Sequence, residues 1–502
     1  EYTGYTFASP SDLHSTEWIC VDREPEPYGP RFPADLGTDA YQVSTLNPTE
    51  WSGVAGRTNG AEVVCAICSS GQANTGAVFT HYGQPTCPTG FTTVFGGAVF
   101  GQNSQALGGG AGLLCAPTVA PAEEALPVST ASEAKSAALT YAALLGEDVN
   151  NNFAQLASQN HRLPTCAVCQ AAPDQRSSLT VPGRKSCPAS YELAYTGLLM
   201  ATRANERRRD FICMDAGAQA LDTSVNENTA ARLVFAEVQG NINDQLGTNI
   251  NGDGPAPYTV GQELACAQCV AAGGGAFVRW GRSDCPATTD LVYDGFAGGA
   301  MYNHQGGGAN TLCMTREPEY GDFKAGTGAA APVFSSEYEG LSQFLPSNAE
   351  VPCAVCQLRV NVSSIMVPGT SVCPSGFVQD FWGSLSSERN SHYRREYLCL
   401  DARRVGVGKP TNHNGATFYH TEFDSPTFGT YGYTYKREIT CTVCHVEDRD
   451  PQVPVPALGL QAKRKKERKE GKKGRKLKET QRGRRTPMER GKRRMRRKAI
   501  RQ

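Results

Sequence analysis

The residues in this chain with the chemistry to do something distinctive are its nineteen cysteines, and they recur in a fixed order. Four precede a proline: Cys87, Cys187, Cys285 and Cys373. Each is followed 26 to 28 positions later by a second cysteine, at Cys115, Cys213, Cys313 and Cys399. After 40 to 53 more positions comes a Cys-x-x-Cys: Cys166 with Cys169, Cys266 with Cys269, Cys353 with Cys356, and Cys441 with Cys444. A Cys-x-x-Cys can place two thiolates at adjacent corners of a zinc tetrahedron, with a second pair completing it. The 15 to 18 residues from each such pair to the next cysteine fit that idea. Yet no second Cys-x-x-Cys closes the site, and grouping forward from these pairs strands Cys20, Cys441 and Cys444. Grouping forward from each Cys-Pro leaves one partner absent. A redox-active pair needs one site on a βαβ unit, not five copies among turns. The pattern therefore favours disulfides in an oxidising, extracellular setting over zinc.

The elements that must position these cysteines are repeats. Ten residues after each Cys-Pro cysteine stands a glycine: Gly97, Gly197, Gly295 and Gly383. Two kinds of unit alternate. The glycine type has Gly-Gly-Gly before its second cysteine, Gly108 to Gly110 and Gly306 to Gly308. The aspartate type has an acid two residues after it, as in Cys20-Val21-Asp22, Cys213-Met214-Asp215 and Cys399-Leu400-Asp401. Cys20, Cys65 and Cys68 are the last three cysteines of an earlier aspartate-type unit. Glu1 to Gly4 align with Ala194 to Gly197, so its Cys-Pro is expected about ten residues before Gly4, by the repeat's own spacing. The organisation expected is a partial module at 1–68, modules at 69–169, 170–269, 270–356 and 357–445, and a linker with a Lys/Arg-rich tail at 446–502. The modules are numbered one to five in chain order.

Short apolar runs between Gly, Asn and Pro turns, with 53 glycines and 30 prolines, give an all-β or β-rich fold of tandem disulfide-stapled modules. The Ala-rich stretch Ala131 to Leu145 is the exception, and its composition predicts a helix. A formal net charge of zero hides a split: residues 461–502 hold 22 Lys/Arg and four Glu, leaving 27 basic and 45 acidic residues for the rest. The tail has too little apolar content to bury a core, and is expected to be disordered. It lacks the interleaved aromatics that stack on bases, which argues against nucleic acid; as a polyelectrolyte, residues 463–501 suit acidic glycans. Arg482 to Arg485 could be a processing site. No apolar run is long enough to span a membrane, and no signal peptide is visible in this stretch.

Cys-Pro-x-Gly-aromatic, a glycine at plus ten, an apolar residue before the second cysteine and a closing Cys-x-Val-Cys together resemble a known module. It is the C-terminal non-collagenous domain of type IV collagen, and still more the related domains of sponge-type short-chain collagens. The resemblance covers nearly all of residues 1–445. It is most specific at Cys353-Ala354-Val355-Cys356, Cys373-Pro374-Ser375-Gly376-Phe377 and Cys441-Thr442-Val443-Cys444, and for the short-chain group at Phe277 to Arg282 with Tyr293 to Gly299. It implies that first bonds last and second bonds third: Cys87 with Cys169, Cys115 with Cys166, Cys187 with Cys269, Cys213 with Cys266, Cys285 with Cys356, Cys313 with Cys353, Cys373 with Cys444, and Cys399 with Cys441. Cys20 then pairs with Cys65, leaving Cys68 without its partner. The extra internal disulfide of type IV collagen is missing, and without a Gly-X-Y tract no triple helix can form, so the likeness is to the module alone.

The remaining motifs are weaker. Gly306 to Ala309 lacks the Lys-Ser/Thr of a phosphate loop and reads as a β-turn. Asn249 to Gly254 begins like a calcium loop but has Val260 where the closing Glu belongs. The histidines show no catalytic spacing, and His304 reads as a solvated loop residue. Asn361-Val362-Ser363 is a glycosylation sequon. No nucleophile elbow or metalloprotease motif is present. These features imply no enzyme, no cofactor and no metal. The expectation is a secreted extracellular-matrix structural or adhesive protein, whose partners are matrix proteins or further modules of its own kind. A secreted protein recognising glycans or surfaces is the alternative.

Overall fold

The computed structural model describes residues 2–8, 19–22, 41–45, 64–67, 76–101, 111–117, 137–144, 159, 161–224, 230–239, 258–320, 330–339, 348–389, 391–407, 415–421 and 438–446. By compactness the chain divides into Glu1–Cys373 with Phe377–Asp448, and Pro374–Gly376 with Arg449–Gln502. All the described elements belong to the first unit, and every one of them is a strand. The expected disorder of the tail and the calcium-loop reading of Asn249 to Gly254 fall outside the described residues.

Module one contributes β1 (Tyr2–Ala8), β2 (Ile19–Asp22), β3 (Tyr41–Thr45) and β4 (Val64–Ile67). Module two contributes β5 (Val78–Tyr82), β6 (Thr92–Gly101), β7 (Leu114–Pro117), β8 (Ala137–Leu144) and β9 (Arg162–Gln170). In module three lie β10 (Ser177–Pro182), β11 (Glu192–Ala201), β12 (Ile212–Asp215), β13 (Ala220–Ser224), β14 (Ala231–Val238) and β15 (Ala265–Ala271). Module four has β16 (Ala276–Trp280), β17 (Thr289–Gly299), β18 (Leu312–Thr315), β19 (Ala331–Tyr338) and β20 (Pro352–Leu358). Module five has β21 (Ser364–Pro368), β22 (Phe377–Ser387), β23 (Leu398–Asp401), β24 (Ala416–His420) and β25 (Thr440–Val446).

One plan is repeated. The closing Cys-x-x-Cys lies on a central strand, flanked antiparallel by the strand before Cys-Pro and by the long strand after it: β9 between β5 and β6, β15 between β10 and β11, β20 between β16 and β17, β25 between β21 and β22. The long strand carries a bulge at the same point each time, between Thr93/Phe95, Leu193/Tyr195, Leu291/Tyr293 and Gln379/Phe381. Side chains three apart on a strand point to opposite faces. The two thiols of each Cys-x-x-Cys therefore cannot share a metal corner-to-corner, and each finds its own partner across the sheet.

The glycine at plus ten has a steric cause. Gly197 stands between Cys266 and Asp215 in the ladder, as Gly295 does between Cys353 and Thr315, and Gly383 between Cys441 and Asp401. A Cβ at Gly197, Gly295 or Gly383 would collide with the backbone carbonyl of Met214, Met314 or Leu400 respectively. The spacing that marks the repeat in sequence is thus the spacing at which three strands come closest.

Where the stretch Ala131 to Leu145 is described, at Ala137–Leu144, it forms the strand β8 and not the predicted helix. Its alanines are wanted for size, since Ala142 and Ala143 are wholly buried where β8 runs parallel to β14. Helix propensity is a weak prior that tertiary pairing overrides. The same position in every module supplies one strand to a parallel ladder, β3–β8–β14–β19–β24, which crosses all four module boundaries. β19 is buried at all eight positions, as a strand covered on both faces must be.

Candidate assembly interface

Eight disulfides are formed: Cys87–Cys169, Cys115–Cys166, Cys187–Cys269, Cys213–Cys266, Cys285–Cys356, Cys313–Cys353, Cys373–Cys444 and Cys399–Cys441. These are eight of the nine pairs named from the resemblance, and a bonded cysteine is not a zinc ligand. The side chains of Cys20, Cys65 and Cys68 lie outside the described residues. Among the described residues there is no group of three or more His, Cys, Asp or Glu able to hold a metal ion. Asn361 is exposed, in the bend between β20 and β21.

The most elaborately built polar surface is where one module meets the next. The strand before Cys-Pro lies beside the second-cysteine strand of the following module, parallel, with Tyr82 opposite Met214 and Trp280 opposite Leu400. Counting back from the Cys-Pro cysteine, the same positions make the contact each time. Eight before, Phe79 meets Tyr195 with ring centroids 6.5 Å apart and Phe277 meets Phe381 at 6.1 Å, while Leu179 and Tyr293 pack on one shared cluster. Four before, the carbonyls of Gly83, Gly183 and Gly281 accept hydrogen bonds from the amides of Gln219 (2.6 Å), Glu319 (2.6 Å) and Val405 (2.9 Å). Three before, Gln84 donates to the Gly217 carbonyl, Arg184 pairs with Glu317 and Glu319, and Arg282 donates to the Arg403 carbonyl.

Six before, the junctions diverge. His81 Nε2 lies 2.7 Å from Asp215 Oδ2, with its Nδ1 3.0 Å from the Thr86 carbonyl. At the equivalent place Arg279 donates through Nε (2.7 Å) and Nη2 (2.6 Å) to Asp401 Oδ2, both residues buried. Between modules three and four the corresponding positions hold Val181 and Thr315, both buried. A His or an Arg thus meets an acid at the two described junctions where the glycine type precedes the aspartate type, and uncharged residues stand at the corresponding positions of the described junction where the order is reversed.

Gly306 to Ala309 is no free turn. The tract is buried against module three, where Arg209 forms a parallel bridge with Gly308 and a Cβ on Gly308 would strike the Phe211 ring. His304 beside it is half-buried rather than solvated, edge-on to Phe334 at 5.5 Å. Burial and the nearby Arg208 charge hold its pKa below the usual histidine value.

Arg208 ties three modules together. It donates to the carbonyls of Met301 (2.7 Å) and His304 (3.3 Å) in module four, and of Tyr393 (2.8 Å) and Arg394 (3.0 Å) in module five. Burial pulls its pKa down to about 9 against the opposing pull of Glu388, so it remains a cation at neutral pH. Glu388 is itself buried, and burial raises its pKa. That is outweighed by the His392 hydrogen bond (3.0 Å), the Arg395 and Arg208 charges and Thr417, so the net shift is downward. Three histidines, His81, His392 and His445, face carboxylates; the last lies 2.9 Å from Asp380, which also accepts from Thr288 of module four. Of these contacts, the sequence shows only the alternating Asp. His81 and Asp215 are 134 positions apart, and the Glu388/His392 spacing of four is the one further signal it holds.

No family model matches the chain, and no curated protein is similar to it.

Proposed function

We propose that this is a non-enzymatic, secreted extracellular-matrix protein, structural or adhesive, built from repeats like the non-collagenous domains of short-chain and type IV collagens. The observation that carries the reading is that module-to-module contact is the chain's most specific surface chemistry, made three times over on the same positions. Eight disulfides support an oxidising compartment, since bonds of this kind persist where thiols are not kept reduced. Its partners are then matrix proteins or further modules of its own kind, with residues 463–501 adding attraction to acidic glycans and Asn361 carrying a glycan. Recognition of glycans or microbial surfaces through the glycine-rich tracts is the second reading; burial of Gly306 to Ala309 in a module contact weighs against it.

The test is to secrete the tagged chain from cultured cells and follow it. Deposition in the detergent-insoluble matrix, with non-reducing peptide maps showing the eight bonds, is the expected result. A chain that stays in the medium, or binds a glycan array through residues 1–445 without entering matrix, overturns the matrix reading.

A further inference from the structure

The residue before the last cysteine of each closing motif is aliphatic in four modules, at Ile67, Val168, Val355 and Val443; in module three it is Gln268. Its partner across the ladder is Thr180, where modules two, four and five set Thr80, Val278 and Met366 opposite valine. Among these described pairs, only the one in module three is polar on both sides. A buried amide costs free energy unless its donors and acceptor are used. Gln268 is 5% exposed, and its Oε1 accepts from Thr180 Oγ1 at 2.6 Å, but its Nε2 donates to no described residue. In front of it lies a cleft of about 270 Å³ between modules two and three. Ser178, Thr180 and Gln268 give this cleft a polar side, while Phe79, Tyr195 and Phe211 are among its aromatic walls; no charged residue lines it. The Tyr195 hydroxyl bridges two walls, donating toward the carbonyls of Thr80 on β5 (3.2 Å) and Cys213 on β12 (3.0 Å). A peptide strand laid along β5 would find that edge acceptor already taken.

We propose that this cleft binds one neutral sugar ring, with the Gln268 amide and the Ser178 hydroxyl bonding the hydroxyls of the sugar. A sugar ring has an apolar C–H face and a rim of donors and acceptors, which matches aromatic walls beside an amide and two hydroxyls. An uncharged lining offers no counter-ion to a sulfate or a uronate, and burying such a group without one is costly. The ligand class therefore differs from the acidic glycans that suit residues 463–501. The volume lies just below the roughly 300–1,000 Å³ of drug-sized ligand sites, so it takes a single ring and not a chain of them. Val168, Val355 and Val443 leave the other described modules without this amide, so the site belongs to module three. Sugar binding here is separate from matrix deposition, and either can fail alone.

The test is saturation-transfer NMR on the full chain with the methyl glycosides of glucose, galactose, mannose and N-acetylglucosamine, irradiating the protein methyl groups. At least one should bind with a dissociation constant of about 1 mM, as suits so small a ligand. The double variant Q268V/T180V installs the valine pair that module four already carries, so the ladder is kept, and it should weaken binding at least about tenfold. S178A, a smaller change made in the same cleft, should weaken it about threefold. Non-reducing peptide maps and melting temperatures of both variants should match those of the unsubstituted chain. A neutral oligosaccharide ending in the preferred sugar separates two sources of the ring: competition with the methyl glycoside assigns a glycan terminus, and failure to compete assigns the free sugar. The proposal is overturned by a lack of transfer to all four glycosides, by binding undiminished in Q268V/T180V, or by tighter binding of an uncharged Ser/Gln peptide than of any sugar.

Discussion

Asp401 accepts two hydrogen bonds on one carboxylate oxygen from the guanidinium of Arg279, a residue 122 positions earlier in another module, with neither side chain in contact with solvent. Removing Asp401 leaves the buried guanidinium with only the half-exposed carboxylate of Asp284, 3.2 Å from Nη1, at a cost of about 3 kcal/mol. D401N should therefore lower the chemical denaturation midpoint of modules four and five sharply. Installing the uncharged combination already used between modules three and four, R279V with D401T, should recover most of that loss. A double-mutant cycle on denaturation midpoints checks it; additive losses would show that the two residues do not act as a pair.

Arg208 can be removed without touching a disulfide. R208M keeps the apolar stem and deletes four donations to carbonyls in modules four and five, three of them part-buried and the one to Arg394 exposed. The expected cost is about 3 kcal/mol, allowing for the modest net value of each bond. Hydrogen exchange should speed up around 301–304 and 393–394 and remain unaltered in β5 and β9.

The same cluster should make the array acid-sensitive in two stages. His304 has a depressed pKa, so below its ordinary value of 6.5 the unfolded chain binds a proton that the folded one refuses, and stability falls as pH drops through that value. Glu388 is depressed as well; its contribution is whole above the ordinary 4.5 and drains away as pH falls from there through its folded value. H304F should flatten the first stage and E388Q the second in a pH series of thermal melts. A melt independent of pH between 7 and 3, as rough bounds on that window, would contradict both.

Glycine at plus ten should tolerate no side chain. G383A drives a methyl into the Leu400 carbonyl, so strands must separate, and a loss of about 3 kcal/mol or failure to secrete is expected. Gly90 has a positive φ of 97° but open space around it, so G90A should cost only about 1 kcal/mol of backbone strain. Secretion yield and melting temperature of the two variants, compared side by side, decide whether close approach or backbone conformation matters more.

The strand-rich class and the repeat are legible because cysteine, proline and glycine each have few uses, and their spacing survives divergence of everything between. Anything that depends on two modules at once is not. The Asp after the second cysteine is visible as a mark of alternation, but His81 and Arg279, at equal positions and unlike in type, give no hint that they face it. Gly306 to Gly308 looks like a turn because a buried glycine strip and a solvated one have the same letters. β8 reads as a helix for a related reason: alanine chosen to fit beneath a neighbouring strand is indistinguishable, in one sequence, from alanine chosen for helix propensity.

The order in which the cysteines pair has a mechanical consequence. A pull on the chain entering at Cys87 leaves through Cys169 across a single bridge, whose Cα atoms are 5.6 Å apart, and bypasses a sequence separation of 82, about 280 Å of extended backbone. From there the load crosses the stretch to Cys187 and is handed to the next bridge, Cys187–Cys269. Once the sheet has been peeled open, the covalent path can lengthen only through these short connectors, about 60 Å each. Such a molecule would yield by a limited amount and then stiffen, with its tensile limit set by cross-links rather than by the length of its polypeptide.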